Sequence, residues 1–258
     1  MSRSLVSNPG GAGARSLEDV AALQRHLLPA MPPALRGYRF AVYYRPCEAA
    51  GGDYYGFQPF ADGRCGFVIA DVAGHGAGAA VMMAVLRTAL ASFRVFGRLR
   101  ESAAQDVNLV LREISVPGVF VTAFFGSLDP ADGALYSGNC GHPLPLVRRR
   151  DGVTTPLADM ADVPLGVLDH IEPPMVTTRL GPGDAVVMYT DGVVEHPSEA
   201  GGFFGVERLT TAVAAAPQAD ADGILASILT HLARHAGQCA ASDDQCIVVC
   251  SRDVVDGL

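Results

Sequence analysis

Four aspartates in distant parts of the sequence have the residue type and the setting of metal-binding carboxylates. Each ends an apolar run or lies in a glycine turn, and they are Asp53, Asp71, Asp191 and Asp243. Apolar runs of this length predict buried strands. A carboxylate at the end of a buried strand is costly to desolvate unless a cation meets it. Because oxygen ligands suit hard ions, the four together favour one shared Mg²⁺ or Mn²⁺ site.

Each of these motifs, taken alone, also has an ordinary structural explanation. Asp71 is followed by the glycine-rich segment 72–78 and then a predicted helix, so it either binds a metal or caps that helix. A dinucleotide-binding loop is disfavoured, because a second helix and not a strand follows the first. The segments 51–53 and 190–192 are compatible with simple turns. Only the occurrence of all four motifs in one chain favours the metal site.

The composition restricts the classes of function. The chain has 258 residues, is 49% hydrophobic and carries a net charge of -8, which fits one α/β domain with a short extension. Such a charge disfavours nucleic-acid binding. No apolar stretch approaches the roughly 20 residues of a membrane span. The six cysteines form no C-x-x-C pair and no signal-peptide core precedes them, so we expect a cytoplasmic protein.

The sequence predicts a terminal helix followed by one globular body. Residues 1–15 are rich in Gly, Ser and Ala and predict a disordered tail. Segment 16–36 predicts a linker helix that starts at Ser16 and is stopped by Pro29 and by Pro32-Pro33. Its apolar residues recur at helical spacing and are Leu17, Val20, Leu23, Leu27 and Leu28. The body is expected at 37–252, with a C-terminal tail at 253–258.

The order of predicted elements in the body argues against a regular βαβ alternation. Strands are expected at 38–45, 65–70, 121–128, 134–137, 144–147, 175–180, 185–189 and 246–250. Helices are expected at 78–96, 102–114, 206–215 and 222–236. Two adjacent helices between groups of strands favour an α+β fold, with helices covering mostly antiparallel sheets.

The motifs resemble those of the PPM (protein phosphatase 2C-like) family, in its bacterial SpoIIE-type branch. The matching stretches follow the family order over about residues 37 to 252, and they are 51–55, 69–76, 141–143, 165–167, 180–184, 189–195, 204–209 and 243–244. Segment 20–29 also resembles the linker helix that joins this phosphatase to an upstream sensor domain. Each stretch alone is common, but the set is highly specific.

The resemblance implies an αββα sandwich of two mostly antiparallel sheets flanked by helix pairs. It places two Mn²⁺ or Mg²⁺ ions at one edge, with Asp71 bridging them and the Val72 carbonyl oxygen completing one shell. Asp53, Asp191 and Asp243 would supply the remaining carboxylates. In such centres the paired ions lower the pKa of a bridging water, which attacks phosphorus in line without a phosphoenzyme.

The chain departs from the family pattern at several positions. Gly56 replaces an aspartate that often follows Gly-Gly-Asp-aromatic-aromatic, and Cys246 stands where threonine is common, which we interpret as a packing change. Asp243 is assigned as the last ligand, while the contribution of Asp244 is left open. His75 is not assigned as a general acid. Arg45 either binds the substrate phosphate or is a solvated edge-strand residue.

The resemblance implies a metal-dependent serine/threonine protein phosphatase of bacterial signalling. The expected substrate is a phosphorylated STAS-domain antagonist of an anti-sigma factor. Two alternatives stay open: a non-catalytic interaction module with the same fold, and a hydrolase of small phosphoesters. The linker helix is expected either to pair in a homodimer and contact a sensor or regulator, or to dock on its own domain.

Overall fold

The computed structural model describes residues 10–92, 103–114, 118–157 and 163–254. The helices are α1 (Gly10–Leu27), α2 (Gly76–Ser92), α3 (Ala103–Ile114), α4 (Asp191–Val194), α5 (Gly205–Ala214) and α6 (Ala221–Ala236). The strands are β1 (Tyr38–Arg45), β2 (Tyr54–Pro59), β3 (Cys65–Val72), β4 (Val121–Leu128), β5 (Ala134–Cys140), β6 (Leu146–Arg148), β7 (Thr154–Pro156), β8 (Val176–Arg179), β9 (Ala185–Tyr189) and β10 (Gln245–Arg252).

The strands form two five-stranded sheets. The first has the order β1-β10-β9-β6-β7 and the second the order β2-β3-β4-β5-β8. Every pair of neighbouring strands is antiparallel. The antiparallel α+β architecture expected from the order of elements is therefore confirmed.

The two sheets pack face to face, and helices cover their outer faces. The layer between the sheets contains Ile69 and Phe124 from the second sheet and Met188 and Val248 from the first. Helices α5 and α6 pack on the first sheet, and α2 and α3 pack on the second. All five residues of β9 are buried, because this strand is covered on both faces. The layers are those of the expected αββα sandwich.

Several short elements were not predicted from the sequence. Strand β2 was missed because Gly56 and Pro59, two of its six residues, are poor strand formers, yet it pairs along its whole length with β3 as an edge strand. Strand β7 and helix α4 were also missed. The predicted strands at 175–180 and 185–189 do form, but they belong to different sheets.

Helix α1 differs from the expectation at its start. It begins at Gly10, six residues before the predicted N-cap at Ser16. Ala12, Ala14 and Arg15 are good helix formers and continue the helix backwards. The remainder of the expected disordered tail, residues 1–9, lies outside the described residues, as do the last residues of the predicted helix 78–96 and residues 255–258 of the C-terminal tail.

No helix of the described residues combines the length and the apolar content that crossing a membrane requires.

Candidate metal centre

Asp71 lies at the end of the second strand of its sheet and faces the other acidic residues. It is part of β3, where it pairs with Thr122 of β4, and helix α2 begins only at Gly76. The alternative of a helix-capping aspartate is therefore not the observed arrangement. Burial, and then the charges of Asp191, Asp243 and Asp244, raise the pKa of Asp71 to about 8, although a hydrogen bond with Asp53 acts in the opposite direction.

Asp53 directly precedes β2 and is almost completely buried, with 1% of its surface exposed. The hydroxyl of Thr190 donates a hydrogen bond of 2.7 Å to its Oδ2. The oxygen of the same hydroxyl accepts a hydrogen bond of 2.9 Å from the backbone N–H of Cys246, and this bond orients the Thr190 O–H group towards Asp53. Burial, and then the charge of Asp71, raise the pKa of Asp53 well above its usual range. Thr190 thereby ties the loop before β2 to the end of β9.

Asp191 is the first residue of α4, two positions after β9 ends at Tyr189. Burial raises its pKa, and Asp243 and Glu195 contribute in the same direction. The next residue must be small, because a Cβ at Gly192 would lie 2.0 Å from the carbonyl oxygen of Asp244. The glycine of this Asp-Gly pair therefore permits close approach of two chain segments and brings Asp191 beside Asp243.

Asp243 and Asp244 have different surroundings. Asp244 is 2% exposed, and its carboxylate accepts the backbone N–H groups of Cys47 at 2.8 Å and Gly52 at 2.6 Å. A Cβ at Gly51 would overlap this carboxylate at 2.2 Å. Asp244 therefore holds the loop that carries Asp53. Asp243 is half-buried, and one of its oxygens accepts the backbone N–H of Asp244 at 2.8 Å.

The donor set fits a divalent cation. Three of the carboxyl groups, those of Asp53, Asp71 and Asp191, have raised pKa values, and among the described residues no cationic side chain is a main cause of these shifts. Clustered carboxylates without a cationic partner are stabilised by a bound metal. A Cβ at Gly52 would lie 2.8 Å from the carbonyl oxygen of Val72, so the glycine keeps this predicted ligand accessible.

A thiol lies beside this acidic group. One donor atom each of Cys47, Asp243 and Asp244 lies within 4.8 Å of the other two. Burial, and then the charge of Asp244 and a hydrogen bond with it, raise the pKa of the Cys47 thiol to about 12. The thiol is therefore protonated at neutral pH. The sequence analysis gave this residue no role.

Arg45, the possible phosphate ligand, and His75, which was given no catalytic role, both lie at the surface. Arg45 ends β1 opposite Gln245, next to the acidic pair, and it forms no ion pair within the described residues. Its phosphate-binding role stays a prediction. His75 is exposed, and its Nδ1 lies 2.9 Å from a carboxylate oxygen of Glu48. Cys246 is completely buried between the sheets, as a packing residue would be.

Helix α1 contacts the loop of this centre directly. The side chain of Gln24 is buried, its Nε2 donates to the carbonyl oxygen of Gly51 at 2.5 Å, and its Oε1 accepts the N–H of the same residue at 3.0 Å. Ala21 of α1 packs against Ala50 and Ala80. Sequence reasoning missed both Gln24 and Thr190. Thr190 immediately precedes Asp191 and could have been noticed, whereas the partner of Gln24 follows only from the tertiary structure.

Similarity to known proteins agrees with this geometry. Residues 61–253 match the family model described as "Stage II sporulation protein E (SpoIIE)". The chain is 25% identical over 226 residues to "Protein IcfG" of Synechocystis sp., covering 77% of this chain and 36% of that protein. It is 24% identical over 185 residues to "Phosphoserine phosphatase RsbU" of Bacillus subtilis, covering 72% and 55%. The chain thus spans well under two thirds of these relatives.

Solved structures share the fold. The SiaA-PP2C domain of Pseudomonas aeruginosa aligns with a TM-score of 0.83 at 21% identity, over 95% of this chain and 99% of that chain. The catalytic domain of the serine/threonine phosphatase PstP, solved in complex with two manganese ions, aligns with a TM-score of 0.60 at 17% identity, over 84% and 98%.

The αββα sandwich, with a group of aspartates at one edge, has the fold of the solved PP2C phosphatase domains. Among proteins of this fold, the family-model match over 61–253 shows that the chain belongs to the SpoIIE family.

Proposed function

We propose that the domain is a metal-dependent phosphatase of phosphoserine and phosphothreonine in proteins, acting in bacterial signalling. The observation that carries the proposal is the acidic group at the sheet edge. Burial and neighbouring carboxylates raise the pKa values of Asp53, Asp71 and Asp191, and among the described residues no cationic side chain is a main cause of these shifts. An interaction module would gain nothing from these groups, because each costs stability unless a cation neutralises it.

Each residue of the site would have a separate role. Asp53, Asp71, Asp191 and Asp243, with the Val72 carbonyl oxygen, would hold two Mn²⁺ or Mg²⁺ ions. When bound, such ions activate water and neutralise phosphate charge. Thr190 orients Asp53 through its 2.7 Å hydrogen bond. Asp244 fixes the backbone of the loop at Cys47 and Gly52. Arg45 would bind a phosphate oxygen from the end of β1.

The proposed substrate is a phosphorylated STAS-domain protein. RsbU of Bacillus subtilis bears the name phosphoserine phosphatase, which supports phosphoserine as the target. The net charge of -8 would repel free anionic phosphoesters at long range, so docking of a protein surface is the better source of specificity. A small-phosphoester hydrolase would need a deep pocket at the acidic centre. A cavity of about 430 Å³ among the described residues is lined by none of the four aspartates.

The experiment compares kcat/KM for phosphorylated STAS-domain proteins of the same organism with that for p-nitrophenyl phosphate at one Mn²⁺ concentration. We expect a much higher value for one of the protein substrates, because remote contacts supply transition-state binding that a small ester cannot. A preference for a small phosphoester would contradict the substrate class and leave the metal chemistry intact. Absence of hydrolysis of any substrate by the Mn²⁺-loaded protein would favour the interaction module.

The partners of helix α1 are part of the same proposal. In the structure α1 docks on its own domain through Ala21 and Gln24, while Leu23 is 69% exposed. This exposed position is where a regulator, a sensor or a second copy of the chain would contact the helix. Light scattering of the full chain and of a Leu23→Glu variant tests whether two copies of the chain pair through α1. A dimer that Leu23→Glu dissolves supports pairing, and a monomer in both contradicts it. A cytoplasmic location stays a prediction.

A further inference from the structure

A cavity of about 430 Å³ lies between helices and the second sheet, away from the acidic centre. Its walls come from the end of α1 and the segment after it, from α2 and α3, and from β2, β3 and β4. We refer to it as the α1–α2 cavity. None of Asp53, Asp71, Asp191 and Asp243 lines it. Its size is within the roughly 300–1,000 Å³ of small-molecule sites.

Small residues create the cavity and large apolar residues enclose it. Gly66 provides no side chain on β3, and Ala91, Ala104 and Ala123 provide only a methyl group. The enclosing side chains are mainly aromatic and aliphatic, and they include Phe57, Phe60, Phe125, Leu86 and Leu90. An occupant must therefore have an apolar body.

The charged groups of the cavity are all potential cations. Among the described residues that line it, Arg87 and His26 can carry a positive charge, and none is an aspartate or a glutamate. This is unusual in a chain of net charge -8. Within the described residues, the guanidinium of Arg87 makes one hydrogen bond, from Nε to the carbonyl oxygen of Leu27 at 3.3 Å. Its two terminal NH₂ groups are thus available to an anion, in the fork geometry that suits a carboxylate.

We propose that the α1–α2 cavity binds a small amphipathic carboxylate, with its hydrocarbon part among the aromatic side chains and its carboxylate on Arg87. The charge of the lining residues selects an anion, and the apolar walls select a hydrocarbon body. This binding site is proposed independently of the phosphatase activity, since none of the four candidate metal ligands lines the cavity.

Ligand binding would also affect the contact between Arg87 and the end of helix α1. The Leu27 carbonyl that Arg87 contacts is the last of α1, where carbonyl oxygens lack helical partners. A ligand carboxylate on the terminal NH₂ groups would share the Arg87 guanidinium with this carbonyl, which accepts from Nε. Occupancy of the cavity is therefore coupled to the contact between α1 and α2, and by the same helix to the Gln24 contact with Gly51.

The test is isothermal titration calorimetry of the full chain with decanoate, below its micellar concentration and in EDTA, so that neither metal nor catalysis is involved. We expect saturable binding of one decanoate per chain. Arg87→Gln should weaken it about tenfold or more, the amount expected for loss of a charged hydrogen bond. Arg179→Gln, at an exposed arginine of β8 outside the cavity, is the matched control and should leave the affinity unchanged.

Two further measurements keep the proposal falsifiable. Decanol, which has the same chain without the charge, should bind more weakly than decanoate and equally to wild type and Arg87→Gln. Ala91→Phe should fill the cavity and abolish binding while the protein still unfolds cooperatively, and it decides the matter if Arg87→Gln does not fold. Absence of saturable binding, equal affinity of Arg87→Gln for decanoate, tighter binding of decanol, or undiminished binding by Ala91→Phe would each overturn the proposal.

Discussion

Gln24 of helix α1 and Gly51 of the loop before β2 are joined by two hydrogen bonds, in which the side-chain amide satisfies both backbone groups of the glycine. Gly51 is two residues from Asp53, so a helix outside the sandwich holds the loop that carries a candidate metal ligand. Buried polar groups left without partners cost about 1–3 kcal/mol each.

The first prediction concerns this contact. Gln24→Leu should leave both backbone groups of Gly51 without partners and loosen the loop, so that Mn²⁺ affinity measured by calorimetry falls about tenfold. Gln238→Leu, at an exposed glutamine near the end of α6, is the control and should bind Mn²⁺ like wild type. Unchanged Mn²⁺ affinity in Gln24→Leu would show that α1 does not support the metal centre.

The second prediction concerns the orientation of Asp53 by Thr190. Thr190→Val has nearly the same shape but removes the hydroxyl that donates to Asp53 and accepts from Cys246. We expect Mn²⁺ affinity to fall about tenfold or more, as for loss of other groups that orient metal ligands. Thr190→Ser keeps the hydroxyl and should retain most of the affinity. If Val and Ser variants bind Mn²⁺ equally well, the hydroxyl has no part in the site.

The third prediction separates the two adjacent aspartates. Asp244→Asn replaces one of the two carboxylate oxygens that accept the N–H groups of Cys47 and Gly52, and it should lower the free energy of unfolding by about 1–3 kcal/mol even in EDTA. Asp243→Asn should cost little stability in EDTA but should lose Mn²⁺ binding. Urea unfolding and calorimetry provide the two readouts, and the reverse pattern would exchange the roles given to these residues.

The fourth prediction is a pH dependence of the metal-free protein. The folded chain keeps Asp71 protonated up to a pKa of about 8, whereas the unfolded chain ionises near about 3.9. The folded state therefore binds more protons in this window, and the contribution of Asp71 to stability falls as pH rises from about 4 to about 8.

Asp71→Asn removes that titration. In EDTA at about pH 8 the variant should exceed wild type in unfolding free energy by at least about 1 kcal/mol, with the difference shrinking towards about pH 5. Asp19→Asn, at an exposed position of α1, is the control. Mn²⁺ should stabilise wild type and not Asp71→Asn. Parallel pH profiles for wild type and Asp71→Asn would contradict the raised pKa.

Most of the long elements, and the positions of the four aspartates next to strand ends or in a glycine turn, could be predicted from sequence because both depend on local patterns. Buried strands such as β9 and β10 are mainly apolar runs. Asp191 lies two positions after the end of β9, and Asp243 lies two positions before the start of β10. Strand β2 could not be predicted, since Gly56 and Pro59 oppose strand formation and pairing with β3 along its whole length stabilises it.

The neighbours of the candidate ligands could not be predicted for a different reason. Asp244 binds backbone groups 192 and 197 residues away in sequence, and Thr190 binds a carboxylate 137 residues away. No local pattern specifies such partners. The start of α1 was misplaced because Ser16 has the residue type of an N-cap, while the alanines before it are equally able to continue the helix.

The most direct test of the central claim is release of inorganic phosphate from a phosphoserine-bearing STAS-domain protein, with p-nitrophenyl phosphate assayed in parallel. The account predicts turnover with Mn²⁺, none in EDTA, recovery when Mn²⁺ is restored, and a loss of orders of magnitude in Asp71→Asn and Asp191→Asn. Undiminished turnover in EDTA or in Asp71→Asn, or no turnover of either substrate with Mn²⁺ present, would contradict it.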